Sequence, residues 1–275
     1  MSESFASEGW LLLHLAKKGP ESAVQTARTA LLGWLRESWI PRLEQLEQYH
    51  LHVDDDELHI RIQNDLSDRY QQAGFGPAII EESAEFFKGF IGPDLHVQKF
   101  PYLRMARPGK RQDNIGIHRD THYGGSPYEL SVSVPFTDTG SAGALGVWSG
   151  SHVMSEEVLP VTHVDSGGVE KGSVKHKLGF LYAPKELPEE VRRKVTPVPV
   201  RVGEALVFSL SLVHGQELNA SQVTRFQSDI RVVSSLAPIQ WERTVHQDYY
   251  RPLSSSPVTV QARLYYEANR SGSAT

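Results

Sequence analysis

Up to about residue 93 the apolar positions keep helical spacing. Beyond it they alternate, or gather in short valine-rich runs. Val24, Leu31, Leu35 and Trp39 recur at intervals of four or seven, which predicts one buried face of a helix. Pro41 suits the first turn of a second helix carrying Leu43, Leu46 and Tyr49. The acidic run Asp54-Asp55-Asp56 departs from that face and reads as a solvated turn or an N-terminal cap. Leu58, Ile62, Leu66 and Tyr70 predict a third helix. Residues 78–90, with Ile79, Ile80, Phe86 and Phe87, predict a fourth that stops at Gly92-Pro93.

From Leu95 onward the period changes. Residues 95–105 lack helical spacing, and Pro108-Gly109 marks a turn. Residues 128–136 alternate: Leu130, Val132, Val134 and Phe136 face one way, Ser131 and Ser133 the other. Residues 195–202, 205–213 and 223–233 supply further strands, with Gly203-Glu204 turning between the first two. Ser254-Ser255-Ser256-Pro257 reads as a loop and residues 271–275 as a frayed tail. Short strands with no helix alternating between them argue against a parallel α/β sheet. The expected fold is mainly β with a helical N-terminal layer: residues 1–93 pack as an extension on a double-sheet jelly roll, residues 94–275, as one continuous domain.

Composition narrows the chemistry. The 275 residues are 39% apolar and 22% charged, ordinary for a soluble globular protein. A formal charge of −5 supplies no basic footprint for nucleic acid or an anionic membrane. There is no cysteine, so disulfides, zinc–thiolate sites, iron–sulfur clusters and thiol nucleophiles are excluded. A metal would have to use nitrogen and oxygen ligands. The N-terminus lacks a basic segment, and the apolar run at residues 10–13 is too short for a signal or a span, so a cytoplasmic location is expected.

His-x-Asp occurs four times, at His52/Asp54, His118/Asp120, His163/Asp165 and His246/Asp248. His52 opens an acidic turn, and His246 has no histidine after it. His163 has His214 downstream but lies beyond a strand that the jelly roll needs between its ligands. His118 leads through a turn into the best alternating strand. It is the one expected to bind metal, with Asp120 and the distal His214. Arg225 follows His214 on the next strand, where it and Gln227 point the same way; Arg231 shares that face and is the runner-up anchor. Two imidazoles and one carboxylate on one face of an octahedral ion leave three positions open, which suits a non-haem Fe(II) oxygenase. A 2-oxo acid fills two of them and O2 the third, while an arginine fork holds the distal carboxylate. A zinc hydrolase uses the same ligands but has no need of the arginine.

At these residues the chain resembles the Fe(II)/2-oxoglutarate-dependent dioxygenases of the phytanoyl-CoA dioxygenase-like group. His118-Arg119-Asp120, Trp148-Ser149-Gly150-Ser151-His152, His214-Gly215 followed by Asn219, and Arg225 stand in the family's order. Tyr102-Leu103-Arg104, Tyr123-Gly124 and Lys171-Gly172-Ser173 leading to His176-Lys177-Leu178-Gly179 resemble members from carbohydrate and natural-product biosynthesis clusters. The resemblance implies a double-stranded β-helix (jelly roll, cupin-like), iron on His118, Asp120 and His214, and 2-oxoglutarate on Arg225. It further implies decarboxylation to succinate and CO2, with hydroxylation as the usual outcome. Asp120 favours oxygen transfer over halogenation, because related halogenases carry a small residue there. Tyr102 and Arg104 share a strand face and are expected to help hold the co-substrate. Thr121, His122, Tyr123, Arg107, Lys175 and Arg231 are expected to bind substrate, a small polar metabolite such as a sugar or natural-product intermediate. The alternatives are a metal-dependent hydrolase or isomerase on a cupin-like barrel, and a non-catalytic binding domain. Oligomeric state is open.

Overall fold

The computed structural model describes residues 2–155, 157–159, 161–163, 185–238 and 248–270. In chain order the elements are α1 (Ser2–Glu8), β1 (Trp10–His14), α2 (Ala23–Ser38), α3 (Asp56–Gln72), α4 (Phe75–Glu82), α5 (Ala84–Ile91), β2 (Leu95–Gln98), β3 (Tyr102–Ala106) and β4 (Leu130–Pro135). There follow β5 (Gly146–Val147), β6 (Thr162–His163), β7 (Lys185–Glu186), β8 (Thr196–Pro197), β9 (Glu204–Ser209), β10 (His214–Gly215), β11 (Arg225–Ser234), β12 (Tyr250–Ser254) and α6 (Pro257–Arg270). A larger antiparallel sheet runs β1-β9-β4-β11-β2-β12, with β3 also paired to β11; a smaller one runs β10-β5-β8. The sheet edges stay open and do not close into a barrel. The fold is the mainly β jelly roll with helices that the periodicity predicts.

Strand β4 shows how the alternation is used. Leu130, Val132, Val134 and Phe136 are buried in one core cluster with Leu31, Leu35, Ile62, Leu66 and Tyr70 of the helices. Tyr70 meets Phe136 edge-on at 5.8 Å. Ser131 and Ser133 are equally buried but face the other way, into the space between the sheets. One face of the larger sheet therefore carries the helical layer, and the opposite face is left for polar chemistry.

Several boundaries differ from the sequence reading. The helix expected after Pro41 is only a 3-10 turn, Leu46–Leu51. Arg36 takes the carbonyls of Leu43 and Glu44 with its guanidinium, and Leu43, Leu46 and Tyr49 are buried all the same. The helix expected over residues 78–90 breaks at Ser83, whose hydroxyl accepts the Ala16 N–H just past β1. Residues 10–14 form an edge strand in register with β9, from Trp10 opposite Phe208 to His14 opposite Glu204. Residues 195–202 contribute only the two-residue strand β8 and an isolated bridge at Val202, and the strand expected over 205–213 ends at Ser209. Strand β12 and the largely exposed helix α6 carry no pattern that marked them in advance. Among the described residues, no helix is long and apolar enough to cross a membrane.

The acidic run resolves as a cap: Asp55 accepts the Leu58 N–H at the start of α3. Arg107, 1% exposed, binds there as well. It donates to Asp113 through Nε and Nη2, to Asp56 through Nη2, and to the Asp54 carbonyl through Nη1. His59 sits beside this network, 3.7 Å from Asp113, and shares a hydrogen bond with the Tyr49 hydroxyl. Burial pushes the His59 imidazole down to about 4, so the folded protein keeps it neutral where an unfolded chain would protonate it. The unfolded state then binds more protons between its ordinary pKa and about 4, and stability falls as pH drops through that window. His59→Gln should remove roughly 2 kcal/mol of the stability lost between pH 7 and pH 5. Urea midpoints at the two pH values check this; an unchanged acid loss would mean that His59 does not titrate as described.

Candidate metal centre

His118 and His214 meet as a directly bonded antiparallel pair. The His118 N–H donates to the His214 carbonyl at 2.8 Å, and the His214 N–H donates back at 2.9 Å. Their rings lie 4.5 Å apart, centroid to centroid. Gly215 makes this closeness possible: at φ 142° its α-carbon faces the Gly116 carbonyl, and a Cβ would lie 2.1 Å from that oxygen. Asp120 begins the one-turn 3-10 helix Asp120–Tyr123 two residues after His118, which brings its carboxylate near both rings. Its Oδ1 is 3.5 Å from His118 Nε2 and its Oδ2 is 3.8 Å from His214 Nε2.

The Trp148–His152 turn braces both ligand segments. Arg119, fully buried between the two ligands in sequence, reaches away from them and donates to the carbonyls of Ser151 and Met154. The Ser151 hydroxyl accepts the Val213 N–H at 2.9 Å, and Trp148 N–H donates to the Val213 carbonyl. His152 bonds to the Ala6 carbonyl and stands outside the cluster.

Among the described residues, His118, Asp120 and His214 are the group of three whose donor atoms all lie within 4.8 Å of one another. Two observations show that they fit a metal ion. Each imidazole is held through Nδ1 by a backbone carbonyl, Gly116 for His118 and Leu212 for His214, which leaves both Nε2 lone pairs turned to Asp120. The Asp120 carboxylate is the third donor, within reach of both of those nitrogens. The electrostatics agree. Burial and the neighbouring His118 push the His214 imidazole down to about 4, keeping it a neutral ligand. Burial alone would raise the Asp120 carboxyl, but Arg231 and the two imidazoles outweigh it and hold the group ionised far below the usual range.

The cluster opens into a small cavity of about 40 Å3 lined from both sheets. Alternate residues of β11, Arg225, Gln227, Asp229 and Arg231, all point into it, and Arg104 joins them from β3. Arg104 Nε pairs with Asp229 at 2.7 Å, and Arg231 Nη2 with Asp120 at 2.7 Å. Arg225 differs. The residue is 5% exposed, and its guanidinium is held by neutral acceptors, the carboxamide oxygens of Asn114 and Gln216 and the Gly143 carbonyl. Burial pulls it down to about 10, so it remains charged at neutral pH.

The other residues expected at the site divide. Tyr102 is 40% exposed, with the Arg104 guanidinium 5.7 Å from its ring centroid; it does not line the cavity. Thr121, His122 and Tyr123 lie in the turn that carries Asp120 but outside the lining, with the Tyr123 ring 5.9 Å from that of His118. Arg107 is away from the cavity, its donors spent on Asp113, Asp56 and the α3 N-terminus. Asp54 pairs with Lys110, away from the cluster. His163 pairs across to Lys185 in a separate two-stranded sheet. Lys175, Asp165 and His246 lie outside the described residues. Asn114, Gln216 and Asp229 escaped the sequence reading. Asp229 was readable from the same two-residue alternation as Arg225, whereas nothing local marks Asn114.

Fold and cluster together define a jelly-roll protein with a candidate two-histidine, one-carboxylate metal site. The chain belongs to the phytanoyl-CoA dioxygenase (PhyH) family, whose model matches residues 44–226. It is an enzyme of that iron- and 2-oxoglutarate-dependent family. Among solved structures it is similar to the non-heme monooxygenase ThoJ in its apo form. That likeness has 18% identity, spans 93% of this chain and 84% of that one, and gives a TM-score of 0.54. The ThoJ nickel complex gives 17% identity over the same shares, with a TM-score of 0.50. AviO1 from Streptomyces viridochromogenes Tue57 has 20% identity over 86% of this chain and 95% of that one, with a TM-score of 0.49. No curated protein sequence matches.

Proposed function

We propose that the protein hydroxylates or otherwise oxidises a small polar metabolite, a sugar or natural-product intermediate. It would hold Fe(II) on His118, Asp120 and His214, and 2-oxoglutarate by its distal carboxylate on Arg225. The observation that carries this reading is the cavity itself. A three-donor cluster and a buried arginine with no carboxylate partner among the described residues line the same space. A zinc hydrolase would leave that guanidinium without a task.

When bound, iron and 2-oxoglutarate supply the oxidising chemistry, O2 being reduced as the 2-oxo acid is decarboxylated to succinate and CO2. The chain's own residues bind and orient. The Gly116 and Leu212 carbonyls fix both imidazoles as Nε2 donors. Asn114 and Gln216 hold Arg225 in place through neutral oxygens that form no ion pair with it, so a dicarboxylate meets a preformed cation. Phe208 packs on the His214 ring at 4.5 Å and keeps water from that side. Asp120 occupies the position that a halide would need, which favours oxygen transfer. Tyr102, Arg104, Thr121, His122, Tyr123 and Lys175 remain proposed contacts for co-substrate or substrate, with Arg104 the best placed because it lines the cavity.

The test is succinate formation. Protein loaded anaerobically with Fe(II), ascorbate and 2-oxoglutarate should yield succinate once O2 is admitted, and more with a true substrate in a panel of sugars and glycosylated intermediates. Succinate no higher than in the protein-free control across the panel would sink the reading.

A further inference from the structure

The cavity holds three guanidiniums and two carboxylates, and the way they pair sets Arg231 apart. Arg104 serves Asp229, and among the described residues Arg225 has only neutral hydrogen-bond partners. Arg231 is the cation that touches the metal cluster. It projects from the middle of β11, opposite Ser131 of β4, and its backbone N–H is fixed by the Gln98 side chain at 3.1 Å. Its Nη2 lies 2.7 Å from Asp120 Oδ2, a close ion pair rather than an aligned hydrogen bond. The other carboxylate oxygen, Oδ1, faces His118 Nε2 at 3.5 Å. A cation bound at this distance makes Oδ2 the poorer donor to a second cation.

The geometry points to Arg231 as a positioning residue that keeps Asp120 a one-oxygen ligand. This rests on the metal set proposed above and concerns how many positions the ion keeps. A carboxylate is free to grip a metal through one oxygen or two. Gripped by two, Asp120 would occupy a fourth of about six positions, leaving about two in place of three. A 2-oxo acid needs two and O2 needs one, so the second oxygen would cost the site its room for both. Arg231, placed on Oδ2 by a rigid strand, blocks that second grip.

The charge makes the inference separable from a merely structural role. A guanidinium beside a divalent ion repels it, so removing that charge should strengthen metal binding even as it weakens the chelate. Two variants suffice, Arg231→Gln and Arg231→Lys, each compared with the wild-type chain by Mn(II) titration. Water-proton relaxation by bound Mn(II) counts open positions, and calorimetry of 2-oxoglutarate on the Mn(II)-loaded protein reads the chelate. Arg231→Gln should bind Mn(II) as tightly as wild type or tighter, lose about a third of the relaxation enhancement, and bind 2-oxoglutarate ~10-fold more weakly or worse. Arg231→Lys keeps a cation near Oδ2 and should restore most of the water count. A fall in Mn(II) affinity for Arg231→Gln, or an unchanged water count, overturns the inference while leaving the proposed function standing. A wild-type chain that binds no Mn(II) overturns both.

Discussion

His214→Ala is expected to lower affinity for Fe(II) or Mn(II) by well over ~100-fold and to abolish succinate formation. Loss of a hydrogen bond that merely supports a ligand already costs ~10–100-fold, and here the ligand itself goes. The fold should survive. The pairing of residues 118 and 214 is made by main-chain groups, which alanine retains, and the Nδ1 bond to the Leu212 carbonyl is local. The same result is expected for His118→Ala. His163→Ala, in a separate pair of short strands, should bind metal as the wild type does. Metal titration with a melting curve for each variant decides the matter. Metal binding that persists in His214→Ala, or disappears in His163→Ala, would relocate the site.

Arg225→Ala should act on the other partner. Removing a buried charge that pairs with a carboxylate costs ~2–5 kcal/mol, so the 2-oxoglutarate KM should rise by a factor of at least ~30, with metal affinity unchanged. Arg225→Lys should recover part of this, because an ammonium keeps the charge but cannot offer the planar fork. Arg225 touches no member of the metal cluster, so the two losses are separable by experiment. An unaltered KM in Arg225→Ala would point to Arg104 or Arg231 as the distal anchor.

How far these features were legible depends on the range of the forces that set them. The face of β4 that packs on the helices was readable from strict alternation, and so was the sharing of one face by Arg225, Gln227 and Arg231, because a strand's period is local. The pairing of His118 with His214 was readable only through motif order. Nothing near residue 118 encodes residue 214. The edge strand β1 was hidden because five residues near the start of a helical region are too few to establish a period. The break at Ser83 was invisible locally, and the partner of its hydroxyl, the Ala16 N–H, lies far along the chain. Arg107 was misjudged for a related reason. A basic residue shortly before the metal motif reads as a substrate contact until Asp56 and Asp113 are seen closing over it. Asn114 and Gln216 are neutral residues whose importance lies in holding Arg225 without forming an ion pair with it.

The mutual bonding of His118 and His214 also bears on assembly. The two lie nearly a hundred residues apart, and their pairing joins loops that meet only when the sandwich has closed. A peptide carrying His118-Arg119-Asp120 alone would therefore lack one of the three ligands. Affinity for the ion is a property of the finished fold, and by mass action every bound ion draws the population toward that fold. In a cell where iron is scarce, the persistence of this enzyme would then track metal supply as well as its expression.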